Sequence, residues 1–91
     1  TPSHAIPPRT PDSTVDLRGE RLPVAIARTE KFVDDALRDS RSAVFVLHGH
    51  GTGILRQAIR SHFASFPGIR RVRPADTSDG GDGVTLLELE S

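Results

Sequence analysis

The stretch VFVLHGHGTGILRQAI, from Val44 to Ile59, decides how the rest of the chain is read. Its first part is apolar at consecutive positions, as a strand covered on both faces or lying in the centre of a sheet would be. Its last part carries apolar residues at helical spacing. Between them Gly49, Gly51 and Gly53 alternate with His48, His50 and Thr52. Loops that merely connect elements seldom alternate glycine so strictly. Either something comes very close to this backbone, or the backbone turns in a way other residues do not tolerate. Strand, glycine-rich turn and helix in that order make an anion site. Unpaired N–H groups at the helix start point outward, and the helix dipole favours negative charge.

Two familiar phosphate loops do not fit. A P-loop needs a Gly-Lys-Ser/Thr sequence after four spacer residues, and there is no lysine here. A dinucleotide fingerprint needs G-x-G-x-x-G, but Ile54 stands where the third glycine belongs. The acidic residue expected about 20 positions on is also replaced, by the region of Arg71 and Arg73. Nucleotide cofactor binding is not expected.

Working outward, residues 1–13 hold four of the prolines and read as a disordered lead-in or linker with nothing to pack. Thr14 to Leu17 reads as a short strand stopped by Gly19. Pro23 then suits the first turn of a helix, where its missing N–H costs nothing. Leu22, Ala25, Ile26, Thr29, Phe32, Val33 and Ala36 follow helical spacing and form one buried stripe. That helix should end near Ser40. A second is predicted from about Thr52 to Ser65, with His62 on its buried stripe and Pro67-Gly68 as its stop. IRRVRPA is a more exposed strand, DTSDGGDG a turn-rich loop, and VTLLELE a last strand. The order is β-α-β-α-β-β. Right-handed crossovers put both helices on one face, and the closely connected final strand should return antiparallel. The expectation is a two-layer α/β sandwich on a four-stranded mixed sheet, occupying residues 14–91.

At 91 residues the chain supports one domain, and with no cysteine it has neither disulfides nor a thiolate metal site. No apolar stretch approaches the ~18 residues of a membrane span and none resembles a signal peptide, so no membrane partner and a cytoplasmic location are expected. The start at Thr1 suggests a fragment of a longer protein. Net charge is zero but segregated. Residues 40–75 contain six arginines and three histidines without one Asp or Glu, whereas residues 76–91 contain five acidic residues and no basic one. Local potential, rather than net charge, governs contact with phosphates, so the middle third is read as a cationic surface. With only four phenylalanines and no other aromatic residue, base stacking is not the main grip.

Three motifs in register, VDLRG (15 to 19), LHGHGTGILR (47 to 56) and GGDGVTLLEL (80 to 89), resemble the Smr (small MutS-related) domain. More narrowly they look like the version closing a bacterial MutS-like paralogue. The resemblance implies a fold similar to the C-terminal domain of translation initiation factor three. It also implies nucleic-acid binding, often with endonuclease or nicking activity, in suppression of homologous recombination or on stalled ribosomes. DNA, and rRNA or the ribosome, would be the partners, and the parent chain would carry an ATPase MutS-like region. Many members have LDLHG where this chain has Arg18 in the histidine position, and HGKG where it has His50 in the lysine position.

The candidate site follows. Gly49, Gly51, Thr52 and Gly53 would seat a phosphodiester on their N–H groups, with Arg56 one turn into the helix reaching the same phosphate. Arg18 or Arg56 would balance developing charge. His48, with His50, would act as acid or base, since histidine exchanges protons near neutral pH. Asp16 would either orient a histidine or bind a divalent cation, and metal dependence is left open. A His-x-His metal pair lacks an evident third ligand. A binding module without chemistry, docking its parent onto DNA, RNA or a ribosome, is the rival reading.

Overall fold

Helix α1 (Leu22–Arg38) follows a three-residue strand, β1 (Thr14–Asp16), in a computed structural model that describes residues 6–90. Its buried residues are Ala25, Thr29, Val33 and Ala36, with Ile26, Phe32 and Leu37 packed at the margin. Thr29 would be costly in that stripe, but its hydroxyl donates to the Ala25 carbonyl at 2.8 Å, so nothing polar is left unpaired. The helix closes with Ser40 in the left-handed region (φ 58°). The Arg41 N–H reaches back to the Ala36 carbonyl and the Ser40 N–H to that of Leu37, at 3.0 and 3.1 Å. These two bonds satisfy carbonyls that a helix end leaves orphaned.

Strand β2 (Ala43–Leu47) pairs parallel to β1, with Asp16 opposite Leu47. Helix α2 (Ile54–Phe63) leads to strand β3 (Ile69–Pro74), and strand β4 (Val84–Leu89) inserts antiparallel between β2 and β3. The sheet order is β1-β2-β4-β3. Period-two alternation sorts the strands' side chains onto two faces. Val15, Val44, Val46, Leu87 and Leu89 pack with the buried residues of both helices, so both helices cover one face. Phe45, Ala43, Val84 and Leu86 form a second cluster on the other face, joined by Ala75 and Ile6. The predicted two-layer, mixed four-stranded architecture is the one observed.

Three local expectations change. Residues 6–13, read as a lead-in with nothing to pack, carry contacts: Ile6 packs on the second cluster, and Pro11–Ser13 form a 3-10 turn. Thr10 and Ser13 cap that turn reciprocally, Ser13 N–H to Thr10 Oγ1 at 3.2 Å and Thr10 N–H to Ser13 Oγ at 2.9 Å. The rest of the lead-in, residues 1–5, lies outside the described residues. Helix α2 is shorter than predicted because Gly53, at φ 84°, is still turning where the periodicity suggested helix. His62 is exposed rather than buried: its ring edges against Phe63, and its Nε2 lies 2.7 Å from Glu30 Oε2, tying α2 to α1. Among the described residues no helix is long and apolar enough to cross a membrane.

Candidate nucleic-acid interface

Parallel pairing of β1 and β2 brings the two sequence motifs that follow them to the same end of the sheet. The Leu17 N–H donates to the Leu47 carbonyl at 2.8 Å, which extends the pairing one residue past β1. Arg28, from α1, holds the turn from behind by donating to the Asp16 carbonyl at 3.1 Å and to Glu20 Oε2 at 2.7 Å. Between this turn and the start of α2 opens a cleft of about 360 Å³, lined by Gly19 and Leu22 on one side and by residues 48–56 on the other.

The glycine loop leaves open space at the helix start. Gly49, Gly51 and Gly53 all have positive φ (79°, 29° and 84°), so the alternation reflects backbone conformation. A Cβ on Gly51 would meet nothing within 4 Å, because that residue faces open space. A Cβ on Gly53 would come within 2.7 Å of Arg56 Nη2, so this glycine makes room for the arginine to fold back over the loop. The first backbone bond of α2 is from the Gln57 N–H to the Gly53 carbonyl, and Thr52 Oγ1 accepts only the Ile54 N–H, at 3.4 Å. The N–H groups of Leu55 and Arg56 therefore point out of the helix end without an intrahelical acceptor.

His48 and His50 separate in role. His48 is buried. Its Nδ1 lies 2.9 Å from the Gly49 carbonyl, which only accepts, so Nδ1 carries the proton. Its Nε2 lies 2.8 Å from Thr85 Oγ1, and the same hydroxyl oxygen accepts Arg60 Nε–H at 2.8 Å. Burial pushes the His48 pKa down, with the charges of Arg60 and Arg56 acting in the same direction against the bond to Gly49. The neutral ring thus accepts from the Thr85 hydroxyl, and both nitrogens are engaged by the protein. His50 is exposed and lies against Gly83, whose missing Cβ leaves the space for its imidazole.

Asp16 and Arg18 form a tight pair. Asp16 Oδ1 accepts from the Arg18 backbone N–H and Nε, both at 3.0 Å, and Oδ2 accepts from Nη2 at 2.9 Å. These bonds hold the Asp16 pKa down at about 2. The Arg18 stem lies over Gly49, 3.5 Å from where a Cβ would be, which brings the first motif onto the second. The Asp16 carboxylate thus contacts Arg18 rather than a histidine. Among the described residues no group of three His, Asp or Glu gathers where a metal ion could be held.

The third motif supplies Asp82, which the sequence reading does not single out. Asp82 accepts from Arg56 Nη1 through Oδ2 and from Arg60 Nη1 through Oδ1, both at 3.0 Å. The hydrogen bond from Arg60, with both arginine charges, lowers the Asp82 pKa. The Gly83 carbonyl accepts the N–H groups of both His48 and Gly49. The signal is the acidic residue inside GGDG, which the sequence presents only as part of a turn.

Fold and site define a two-layer α/β domain with an open cleft where β2 leads into α2. Residues 15–90 match the family model of the Smr domain, and the chain belongs to that family. It is 45% identical over 76 residues to proteins named Endonuclease MutS2 from Bacillus thuringiensis and Bacillus cereus, covering 84% of this chain. The match spans only 10% of the length of those relatives. Among solved structures, the Smr domain of Thermus thermophilus MutS2 superposes with a TM-score of 0.84 at 34% identity, covering 87% of this chain and 99% of that one. YdaL, a stand-alone small MutS-related protein from Escherichia coli, shares the fold with a TM-score of 0.85 at 19% identity, over 91% of this chain and 68% of that one.

Proposed function

We propose that this domain grips nucleic acid by its phosphodiester backbone and nicks it, as the endonuclease domain of a MutS-like protein. The observation that carries the reading is the cleft lined by residues 48–56, where the N–H groups of Leu55 and Arg56 point outward beside open space at Gly51 and the Arg18 stem lies over neighbouring Gly49. A phosphate oxygen seated there accepts from the helix-end N–H groups, and Arg56 or Arg18 balances charge as the pentacovalent centre forms. Water oxygen bonds to phosphorus while the bond to the leaving oxygen breaks. One proton leaves the water and one reaches the leaving group. His50, the exposed imidazole of the loop, exchanges these protons, and His48 acts through the loop it holds in place. A divalent cation, where one takes part, would be held by Asp16 and would supply charge stabilisation at the phosphate.

A second reading has its own support. His48 has no ring nitrogen left over, and three N–H donors occupy the Asp16 carboxylate. Such groups suit a binding module that docks a parent protein onto DNA, RNA or a ribosome without cutting. In either reading the parent chain acts in the cytoplasm, with an ATPase MutS-like region, in suppression of recombination or on stalled ribosomes. A plasmid-nicking and RNA-cleavage assay with and without EDTA separates the two. Cutting by the wild-type domain that Asp16→Asn reduces supports the nuclease, and binding without cutting under any metal condition leaves the docking module.

A further inference from the structure

On the sheet face away from the helices, strand β3 carries a second concentration of positive charge. A bulge between Ile69 and Arg71 breaks the alternation of β3 against β4. Ile69 and Val72 pack toward the helices, and the extra residue lets Arg70 and Arg71 both turn to the opposite face, where Arg73 also lies. All three surround Glu88 of β4, whose side chain is only 5% exposed. Arg70 Nη2 donates to Glu88 Oε1 at 2.9 Å and Arg73 Nε to Oε2 at 2.8 Å, while Arg71 Nε stands 3.9 Å away. Together with Ile6 these four residues line a concavity of about 270 Å³.

Arg71 and Arg73 share the Glu88 carboxylate, and Asp76 stands 3.9 Å from Arg73. The Arg71 side chain is 67% exposed and its one ion pair is longer than a hydrogen bond. A buried carboxylate in mid-strand is costly unless it is paired, and here it fixes two guanidinium groups before any ligand arrives. Pre-ordered arginine forks match phosphate oxygens in geometry and charge. The patch is separate from the cleft. It shares no lining residue with the cleft, and Glu88 lies four residues along β4 from Val84, roughly 13 Å at the rise of a strand. In the cleft Asp82 engages both Arg56 and Arg60, whereas on this face Arg71 keeps its charge exposed.

We propose that Arg71 and Arg73, set on Glu88, form a second phosphate-contact surface that holds the nucleic-acid backbone away from the cleft. This rests on the nucleic-acid reading above and deepens it, since two separated phosphate seats require a ligand long enough to reach both. A strand of only a few nucleotides fills the cleft alone, while a longer duplex or branched ligand engages both.

The experiment measures affinity against salt for the wild-type chain and for Arg71→Ala, using one four-nucleotide strand and one 30-base-pair duplex. Arg71→Glu serves as a second variant, and circular dichroism checks each fold. Arg71→Ala is expected to weaken duplex binding by roughly fivefold at low salt, the scale of one exposed charge contact. The log–log salt slope should fall in magnitude by about 0.9. Arg71→Glu should weaken binding further, and neither variant should change binding of the short strand. Duplex affinity and slope equal to wild type in folded Arg71→Glu overturn the second surface and leave the cleft reading intact. Wild-type protein that binds neither ligand overturns both. An equal loss on both ligands removes the distinction between the seats and overturns the inference as well.

Discussion

The Gly49 N–H donates to the Gly83 carbonyl at 2.9 Å, and that carbonyl also accepts the His48 N–H at 3.2 Å. One peptide unit at the start of β4 thus sets the position at which the glycine loop leaves β2. Gly83 contributes its missing side chain as well, because a Cβ there would lie 2.9 Å from His50 Nε2. Two residues separated widely in sequence decide where the only exposed imidazole of the cleft can stand.

Gly83→Ala tests that arrangement. Gly83 has no positive φ, so alanine is accepted by the backbone and the exposed imidazole moves instead. Stability should change by no more than about 1 kcal/mol, within the range of a mild substitution. Cleavage should fall more than binding if His50 moves protons during catalysis. Urea denaturation with parallel binding and nicking assays makes the comparison, and unchanged nicking would remove His50 from the chemistry.

Thr85→Val removes a buried hydroxyl that accepts from Arg60 and donates to His48. Shape is nearly kept, but the buried His48 Nε2 loses its donor and the half-buried Arg60 Nε its acceptor, so a loss of about 1–3 kcal/mol is expected. His48 adds a pH dependence. Burial lowers its pKa in the folded chain, so between that value and the ordinary one of about 6.5 the unfolded chain binds more protons. Its contribution to stability is present above pH 6.5 and lost as pH falls below it. Urea midpoints from pH 5 to 7.5 should rise for wild type more than for His48→Gln, and the difference isolates this residue from the pair His62–Glu30.

Much of the fold was legible because its determinants are local. Helical spacing from Ala25 to Ala36, the unbroken apolar run of β2 and the stops at Gly19 and Pro67-Gly68 each act within a few residues. The shape of the loop was legible too, since alternating glycines signal positive φ directly. The site's partnerships were not. His48 meets Thr85 across 37 residues, and Arg56 meets Asp82 across 26. No spacing rule links such positions until β4 has inserted beside β2. The same insertion puts Glu88 under the arginines of β3, and the bulge that turns Arg70 outward has no signature in IRRVRP.

Gly51→Val tests the phosphate seat. The glycine has φ 29° with open space around it, so the added side chain strains the turn and fills the place a phosphate would take. The strain costs about 1–2 kcal/mol in an exposed loop, which the core should survive. Binding of nucleic acid should fall more than tenfold while circular dichroism stays that of the wild type. A folded variant that binds normally would place the phosphate elsewhere on the domain.

Asp16 and Arg18 offer the sharpest division between cutting and gripping. Their ion pair is exposed and screened by solvent, so breaking it should cost little stability. What stability it does contribute is present above the ordinary carboxylate value of 3.8 and lost as pH falls toward about 2, outside any working range. Effects of Asp16→Asn at neutral pH therefore report on function. If the carboxylate takes part in cleavage, the rate should drop by about 10² while affinity shifts little. Arg18→His sets an imidazole beside the same carboxylate. Cleavage should then be kept or raised, and its pH profile should gain a dependence near neutrality that wild type lacks. Combining Arg18→His with Asp16→Asn should cancel that gain, because an imidazole oriented by the carboxylate loses its partner and losses in a coupled pair do not add. Nicking by all three variants at the wild-type rate would leave the pair with no part in catalysis and favour the docking module.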